Sequence, residues 1–561
     1  MMPTDFCARP IQVAADLTAT VIAVLACPGD LVDAGTEIAL LESMKMEIPI
    51  LAGQAGTVAK VAVRTGDTVR AGELLCEIAP ISCSCCNPEP DATALAALAA
   101  LGTSRDPADR LAALFDEGTA AIQDDPAGSG VYTARGQING LAALAYASDP
   151  KTKGGALGQS GCDKIVAVIN AAIAEFIPVI GLWHSGGARL AEGVESLNGM
   201  GEMFAAIVRA SGRIPQVSVV LGPAAGGAAY GPALTDVVIM VEGSQIFVTG
   251  PKVVRSVTGE DIDMEHLGGT TTHMSKSGVA HMSAPDQQSA LESARTIITL
   301  LRGEHRTAWS APACDPGRHL PEQPDRAYDV LPIISAILDH DELGDWQELQ
   351  PDWAPNIVTG LGRFQGAPVG VVASNPIRMG GCLDSKSAEK SARFVRLCDA
   401  FGIPLLVLVD VPGYLPGVDQ EWDGVVRRGA KLLHAFADAE VPRVTVVLRK
   451  AYGGAYIAMN SRSLGATAVL AWPEAEVQVM GATAAVRVLH RRELAAAPDA
   501  QRPALEEHLS AEHRRALGGL QQTVKIAVVD QIIEPADTRS AVAAAFDSAP
   551  ARRNDIRNIP L

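Results

Sequence analysis

Glycine-containing turns recur at four places in this chain, and backbone amides at such places can stabilise an oxyanion. HSGGAR (184–189) and DVPGYLPG (410–417) each follow an apolar run that predicts a buried strand, and AAGGAAY (224–230) and AYGGAY (451–456) each open a predicted helix. Glycine lets a substrate approach the backbone closely, and the first amides of a helix favour negative charge. The pattern therefore predicts oxyanion holes. Tight helix–strand packing is the alternative, and the four matched positions argue against it.

A single lysine, Lys45, stands between two methionines in LESMKMEIPI (41–50). The flanking residues have the pattern of short strands, so the sequence predicts a hairpin that exposes this lysine. An ordinary surface lysine is the alternative interpretation.

Residues 10 to 79 contain an internal repeat. ATVIAVLACPGDLVDAGTEIALLE, from Ala19, matches GTVAKVAVRTGDTVRAGELLCEI, from Gly56, at one constant offset. Both copies alternate β-branched and small residues and turn at a Gly-Asp pair, which predicts strands joined by tight turns. Two such copies predict a small β-sandwich with approximate two-fold symmetry, and Lys45 falls on the hairpin between them.

The larger part of the chain, from about residue 130 to 561, also repeats. Pro178 of the first half recurs as Pro404 of the second, and Gly227 recurs as Gly454, each in a matching context. Helix-like segments alternate with buried apolar strands in both halves, which is typical of α/β units. A Pro-, Ser- and Cys-rich linker before this region is expected to tether the sandwich, and two amphipathic helix patterns follow the linker.

Candidate side-chain catalysts are few. His184 and Ser185 are adjacent, but neighbouring residues of a strand point to opposite faces, so a packed His184 is the favoured interpretation. The sequence has no GxxxxGK[ST] loop and no GxGxxG in a dinucleotide context, which argues against P-loop ATP hydrolysis and a redox role. Cys83, Cys85 and Cys86 do not form two CxxC pairs, so we expect reduced thiols and no metal site.

Composition narrows the class of protein. Over 561 residues, 48% are hydrophobic and 20% are charged, which predicts several buried cores rather than disorder. The formal net charge of −18 argues against a general nucleic-acid or anionic-membrane binder. The first residues show no secretory signal, and the longest uncharged run, 214–235, is interrupted by prolines. We therefore expect a cytoplasmic protein without a membrane span.

The hairpin sequence ESMKME resembles the biotin attachment site of biotin carboxyl carrier domains. In that family the lysine between two methionines is joined to biotin by a biotin ligase that reads the folded domain. The resemblance therefore implies covalent biotin on Lys45. Lipoyl domains share the sandwich, but an acidic residue usually precedes their lysine, so the two methionines favour biotin.

The region from about 95 to 561 resembles the carboxyltransferase of acyl-CoA carboxylases, of the propionyl-CoA carboxylase β-subunit type. The resemblance runs through SGGARLAEGVESL, LGGTTTHMSKSGVAH, NPIRMGGCLDSKSAEKSARFV and RKAYGGAYIAM. It implies a hexamer, a trimer of dimers, with active sites between the N-terminal domain of one subunit and the C-terminal domain of another. The expected fold is multidomain: a small all-β biotinyl barrel-sandwich domain followed by two α/β crotonase-like domains.

The resemblance assigns the chemistry to backbone amides of the glycine turns. The residues that it marks as catalytic are Gly186, Gly187, Gly454 and Ala455. The residues that it marks as binding are Gly226, Gly227 and Ala228 for CoA and Tyr456 for biotin. In this scheme the first glycine pair holds the acyl thioester oxygen, and Gly454 with Ala455 holds the biotin ureido oxygen. Carboxybiotin releases its carboxyl group locally, the biotin enolate removes the α-proton, and the thioester enolate attacks carbon dioxide.

Some positions depart from the family pattern or leave it open. The family commonly has an aspartate where this chain has His184. Ile457 is expected near the acyl group and is compatible with acetyl, propionyl or longer chains. Candidate contacts to the CoA phosphates are Arg189, Lys252, Arg255 and Lys276, although a solvated basic face explains them nearly as well.

The predicted domains are the biotinyl carrier (1–79), a linker (80–94), an acyl-CoA-binding carboxyltransferase domain (95–318) and a biotin-binding one (319–561). The predicted function is carboxyl transfer from carboxybiotin to the α-carbon of acetyl-CoA or propionyl-CoA, as a ligase of fatty acid metabolism. A separate biotin carboxylase subunit is expected, because the carrier and the transferase consume the chain. A biotin-dependent decarboxylase or transcarboxylase component and a non-catalytic biotin-carrying scaffold are the alternatives.

Overall fold

The computed structural model contains a small all-β domain and two α/β domains, as the sequence predicts. It describes residues 10–43, 46–80, 104–125, 127–306, 310–312, 314–339, 346–516, 518–550 and 552–560. The predicted biotin attachment residue Lys45 and the cluster of Cys83, Cys85 and Cys86 lie outside the described residues.

The first domain is built from eight strands in two four-stranded sheets, ordered β1-β8-β6-β3 and β5-β4-β2-β7. The strands are β1 (Ile11–Ala14), β2 (Ala19–Val24), β3 (Leu31–Val32), β4 (Glu37–Ser43), β5 (Met46–Leu51), β6 (Gly56–Val61), β7 (Thr68–Val69) and β8 (Leu74–Pro80). Strands β2, β3 and β4 recur as β6, β7 and β8 at the offset that carries Ala19 onto Gly56. The internal repeat is therefore structural.

The two copies interlock through their Gly-Asp turns. Gly29 and Gly66 adopt φ values of +100° and +94°, which favour glycine over other residues. The Gly29 amide donates to the carbonyl of Val58, and the Gly66 amide donates to the carbonyl of Val21, so each turn is fixed by a strand of the other copy.

The second domain carries an eight-stranded sheet whose central strands are parallel. Its strands are β9 (Ala121–Gln123), β10 (Val131–Ile138), β11 (Leu141–Ser148), β12 (Val179–Ser185), β13 (Gln216–Ala225), β14 (Val237–Val241), β15 (Gln245–Phe247) and β16 (Met282–Ala284). Its α-helices are Pro107–Leu114, Gln159–Glu175, Val194–Ala210, Gly227–Ala233, Pro251–Thr258, Met264–Gly268, Thr270–Thr272 and Gln287–Leu301.

The third domain repeats this arrangement. Its strands are β17 (Gln347–Leu349), β18 (Ile357–Phe364), β19 (Ala367–Ser374), β20 (Leu405–Val411), β21 (Arg443–Tyr452), β22 (Ala468–Ala471), β23 (Glu476–Gln478) and β24 (Gln531–Ile532). Its α-helices are Leu331–Ile337, Ser385–Phe401, Val418–Trp422, Val425–Asp438, Gly453–Ala458, Ala482–Leu489, Arg491–Ala496, Arg502–Ala516, Gly519–Lys525 and Thr538–Asp547.

The two α/β domains correspond element by element in sequence. Strands β10, β11 and β12 recur as β18, β19 and β20 at one constant offset, and β13 recurs as β21 at an offset one position longer. Their buried side chains merge into one cluster that contains residues of both sheets, including Val219 and Val407. The predicted duplication is therefore seen in the fold. Within the described residues, no helix has the length and apolarity needed to cross a membrane.

Candidate functional site

The predicted glycine turns of the second domain meet at the carboxyl end of its parallel strands. Gly187 follows β12 with φ +99°, and a Cβ on it would lie 2.8 Å from the carbonyl oxygen of Ala225, the last residue of β13. The next residue, Gly226, has φ +58° and leads into the helix Gly227–Ala233. Only glycine fits at Gly187, because a side chain would be strained and would strike the neighbouring backbone.

The amides at this end of the sheet fall into two groups. The Gly186 amide donates to the carbonyl of Gly154 at 3.0 Å, and the Gly187 amide lies 3.2 Å from Ser185 Oγ. The amides of Gly227 and Ala228 stand in the first turn of a helix, and we find no acceptor for them among the described residues. These two are the open donors, whereas Gly186 serves the turn itself. A role for the Gly186 amide in binding substrate stays a prediction.

The third domain builds the equivalent turn with more open space. Gly453 has φ +59° and begins the helix Gly453–Ala458. Gly454 would place a Cβ with no heavy atom within 4 Å, so the space beside it is open. Among the described residues, the amides of Gly454 and Ala455 have no acceptor. The arrangement forms a cradle of two donors at a helix start, which fits a ligand oxygen such as that of a ureido group.

The two turns differ in the residues that lie behind them. His184 occupies the position of Asp410 at the repeat offset, and its ring packs against Gly222, where a Cβ would lie 2.5 Å from the imidazole. Burial, with Arg110 and Arg105 adding repulsion, lowers the pKa of His184 to about 4. His184 is therefore neutral at physiological pH, and the prediction of a packed histidine is confirmed.

In the third domain an ion pair takes this place. Arg449 corresponds to Gly222, and its Nε donates to Asp410 Oδ2 at 2.8 Å with both side chains buried. Arg449 Nη1 also donates to the carbonyls of Pro324 and Arg326, at 2.9 Å and 3.0 Å. Sequence analysis missed this pair. The signal was present, since aligning the two halves places an arginine opposite a glycine and an aspartate opposite His184.

Tyr456, which the sequence predicts to bind biotin, packs in the hydrophobic core. Its side chain is buried, the hydroxyl donates to the carbonyl of Val528 at 3.4 Å, and burial raises its pKa to about 12. The ring thus contributes to the core rather than to the open cradle. The neighbouring Ile457 is 43% exposed, which leaves it available to a ligand. Contact between Tyr456 and biotin stays a prediction.

The candidate contacts to the CoA phosphates differ in their exposure to solvent. Arg189 is 5% exposed and donates to the carbonyls of Ala156 and Ser129, so it holds the fold and is not open to a phosphate. Arg255 is exposed and pairs with Asp261.

The strands that flank Lys45 lie against the third domain. Ser43 pairs with Met46 at the end of the β4–β5 hairpin, while Lys45 itself is outside the described residues. Met46 is 1% exposed, and the ammonium group of Lys450 contacts its sulfur. Lys450 lies just before the Gly453–Gly454 turn in sequence. The hairpin of the small domain therefore contacts β21, the strand that leads into the cradle of the third domain.

Comparison with known proteins agrees with this geometry. The carboxyl transferase domain family matches residues 104–557, and the family described as biotin-requiring enzyme matches residues 12–78. The chain belongs to the carboxyl transferase family and carries a biotin-requiring domain in front of it. It is thus an enzyme of the biotin-dependent carboxyltransferase class, which confirms the predicted fusion of carrier and transferase.

Three similar proteins show the range of the family. The biotin-dependent acetyl-/propionyl-coenzyme A carboxylase beta6 subunit of Mycobacterium tuberculosis is 58% identical over 468 residues, covering 82% of this chain and 98% of that protein. The methylmalonyl-CoA decarboxylase subunit alpha of Propionigenium modestum is 40% identical, covering 81% and 92%. The transcarboxylase 12S hexamer, solved with methylmalonyl-coenzyme A, matches with a TM-score of 0.75 at 39% identity, covering 82% of this chain and 92% of that one.

Proposed function

We propose that this protein transfers a carboxyl group from biotin on Lys45 to the α-carbon of an acyl-CoA. Acetyl-CoA and propionyl-CoA are the substrates that the similar carboxylase subunit suggests, with malonyl-CoA and methylmalonyl-CoA as products. The observation that carries the proposal is the contact between Met46 of the carrier hairpin and Lys450 of β21, the strand that leads into the open amides of Gly454 and Ala455.

The second domain supplies the site for the thioester. Deprotonation at the α-carbon places negative charge on the thioester oxygen, and the open amides of Gly227 and Ala228 at a helix start can stabilise it. Gly187 keeps a side chain out of the space beside this turn. We assign Gly226, Gly227 and Ala228 to the bound acyl-CoA, including its thioester oxygen, and Gly187 to the space beside them that the acyl group needs.

The third domain supplies the site for the prosthetic group. Biotin, when bound to Lys45 and carboxylated, would supply the carboxyl group; loss of that group would leave a basic ureido nitrogen that accepts the α-proton and negative charge on the ureido oxygen. The amides of Gly454 and Ala455 hold that oxygen, and Lys450 fixes the end of the hairpin through Met46. In this scheme the described residues bind, orient and stabilise charge, and no ionisable side chain acts as the base.

Assembly into a hexamer would complete each active site. The similar transcarboxylase is a hexamer, and large apolar residues are exposed just after both strand-end turns. Leu190 is 96% exposed after the Gly187 turn, and Trp422 is 83% exposed after the 410–417 turn. Such patches are typical of subunit interfaces. We propose that they bring the second domain of one subunit against the third domain of another.

The remaining assignments extend this proposal. A separate biotin carboxylase subunit would carboxylate the biotin, and a biotin ligase would attach it. We place the enzyme in fatty acid metabolism in the cytoplasm, and we retain domain boundaries at residues 79, 94 and 318.

A decarboxylase is the second candidate function, because the Propionigenium modestum relative is a methylmalonyl-CoA decarboxylase subunit. The chemistry at the amides is the same in reverse. A carboxylase fixes labelled bicarbonate into acyl-CoA when biotin carboxylase and ATP are supplied, whereas a decarboxylase does not.

The test is therefore a bicarbonate fixation assay with the biotinylated chain, purified biotin carboxylase, ATP and a series of acyl-CoA esters. Lys45→Arg should abolish both the biotin mass increment and fixation, since no other residue is assigned to biotin. Lys60→Arg, an exposed lysine of the same domain, is the matched control and should retain both. A Lys45→Arg protein that still fixes label without added biotin would contradict the proposal.

A further inference from the structure

A short segment of the third domain pairs with the carrier hairpin as an additional strand. Glu47 of β5 donates its amide to the carbonyl of Asp325 at 3.0 Å, and the Ala327 amide donates to the carbonyl of Glu47 at 2.9 Å. Glu47 and Arg326 form a parallel β-bridge. We call residues 324–327 the docking segment. Since β5 is an edge strand of its sheet, this segment uses backbone groups that an edge strand otherwise leaves unpaired.

Charge complementarity accompanies the backbone pairing. Arg326 Nη2 lies 2.6 Å from Glu37 Oε1, and its Nη1 lies 3.6 Å from Glu47 Oε2. Arg378 pairs with Asp16 at 3.0 Å. In each pair the carrier domain supplies the acidic partner and the third domain supplies the arginine.

Apolar contact closes the same interface. Ala327 is buried in the core cluster of the carrier domain, and Met379 packs at its edge. A Cβ on Gly380 would lie 3.6 Å from Met46 Cγ, so Met46 rests on the Met379–Gly381 turn. The interface thus fixes the register of β5 and the position of Met46.

The docking segment is held by the ion pair behind the cradle. Arg449 donates to the carbonyls of Pro324 and Arg326 and is itself fixed by Asp410. The second domain has Gly222 and His184 at the equivalent positions, so it has no arginine there that could hold such a segment.

We propose that residues 324–327, with Arg326 and Arg378, are a docking site for the chain's own carrier domain, and that Arg449 is the positioning residue that joins this site to the third-domain cradle. The inference rests on the proposed function, because docking matters for catalysis only if the carrier delivers biotin. It also accounts for the contact of the carrier with the third domain. Pairing through two backbone bonds and partly exposed ions allows release toward the biotin carboxylase.

Hydrogen exchange on the intact biotinylated protein tests the proposal without any acyl-CoA. The amides of Glu47 and Ala327 should be protected in the natural chain. Arg326→Glu places a carboxylate against Glu37 and Glu47, so we expect exchange at least tenfold faster at both amides. Combining it with Glu37→Arg and Glu47→Arg restores the opposite charges and should restore protection at Ala327. Arg70→Glu reverses an exposed charge elsewhere on the carrier and should leave both amides protected.

Carboxyl transfer from the tethered biotin is the second readout. We expect Arg326→Glu to lower kcat about tenfold and to leave the KM for acyl-CoA unchanged, because the acyl-CoA site is in the second domain. Absence of protection at both amides in the natural chain, or protection that Arg326→Glu leaves intact, would overturn the docking site. A chain that shows the exchange pattern but fixes no bicarbonate would refute the proposed function instead.

Discussion

The two α/β domains share one backbone device and differ in the side chains behind it. Each ends a buried strand in a glycine turn and opens the next helix with two amides that have no acceptor in the part of the chain that the structure describes. Behind the turn, the second domain has neutral His184 on Gly222, whereas the third has the buried pair of Asp410 and Arg449. Under the proposed function, this difference would let a duplicated fold gain two functions: the backbone would supply two oxyanion sites, and the residues behind each turn would determine which site receives the carrier.

The largest expected effect is a loss of turnover in a variant that blocks the cradle without destabilising the fold. Gly454→Val fills open space without a neighbouring clash, so the domain should fold normally while the new side chain blocks the ligand. We expect turnover to fall about 100-fold or more, the usual consequence of losing an oxyanion donor. Steady-state bicarbonate fixation and thermal unfolding measure the two properties.

Gly201→Val is the matched control, because a Cβ there also meets no heavy atom within 4 Å. It should retain turnover. Equal losses in the two variants would show that the effect of Gly454→Val is not specific to the cradle.

Gly187→Val should affect stability as well as activity. Its φ of +99° and the 2.8 Å approach to the Ala225 carbonyl leave no room for a side chain. We expect about 1–2 kcal/mol of backbone strain, a lower melting temperature than Gly454→Val, and a loss of turnover of about 100-fold. Equal melting temperatures for Gly187→Val and Gly454→Val would contradict the expected difference between the two turns.

Arg449→Lys tests the link between docking segment and cradle. Lysine keeps a charge for Asp410 but lacks the planar fork that also reaches two carbonyls. We expect a kcat about tenfold lower, an unchanged KM for acyl-CoA, and faster exchange of the Ala327 amide. If Arg449 had only a structural role, Arg449→Lys would raise the KM for acyl-CoA or lower the stability of the protein. It would not speed exchange selectively at the Ala327 amide.

The smallest expected effect concerns His184. Its folded pKa of about 4 lies below the usual value near 6.5. Between pH 6.5 and 4 the unfolded chain therefore binds the proton and the folded chain does not, so stability falls as pH decreases through this range. His184→Gln should flatten the pH dependence of the melting temperature there and leave that at pH 8 almost unchanged. An identical pH profile would contradict the burial of a neutral imidazole.

The repeats made much of the fold predictable. The offset between Ala19 and Gly56 marks the paired strands of the carrier, and the recurrence of Pro178 as Pro404 marks those of the α/β domains. Glycine at the strand-end and helix-start turns is required by positive φ, so these turns were also visible in the sequence.

Other parts of the site depend on contacts that no local pattern encodes. The Gly186 amide donates to the carbonyl of Gly154, which is distant in sequence, and the Tyr456 hydroxyl donates to the carbonyl of Val528. Arg449 donates to the carbonyls of Pro324 and Arg326, which are also remote along the chain. Such pairings follow from how the domains pack, and only an alignment of the two halves could have drawn attention to Arg449.

Hydrogen exchange at the two helix starts tests the central claim most directly. Biotinylation at Lys45 should slow exchange at Gly454 and Ala455 and leave Gly227 and Ala228 unchanged, while a non-hydrolysable acyl-CoA analogue should do the reverse. Protection of Gly227 by biotin, or of Gly454 by the acyl-CoA analogue, would contradict the assignment of the two domains.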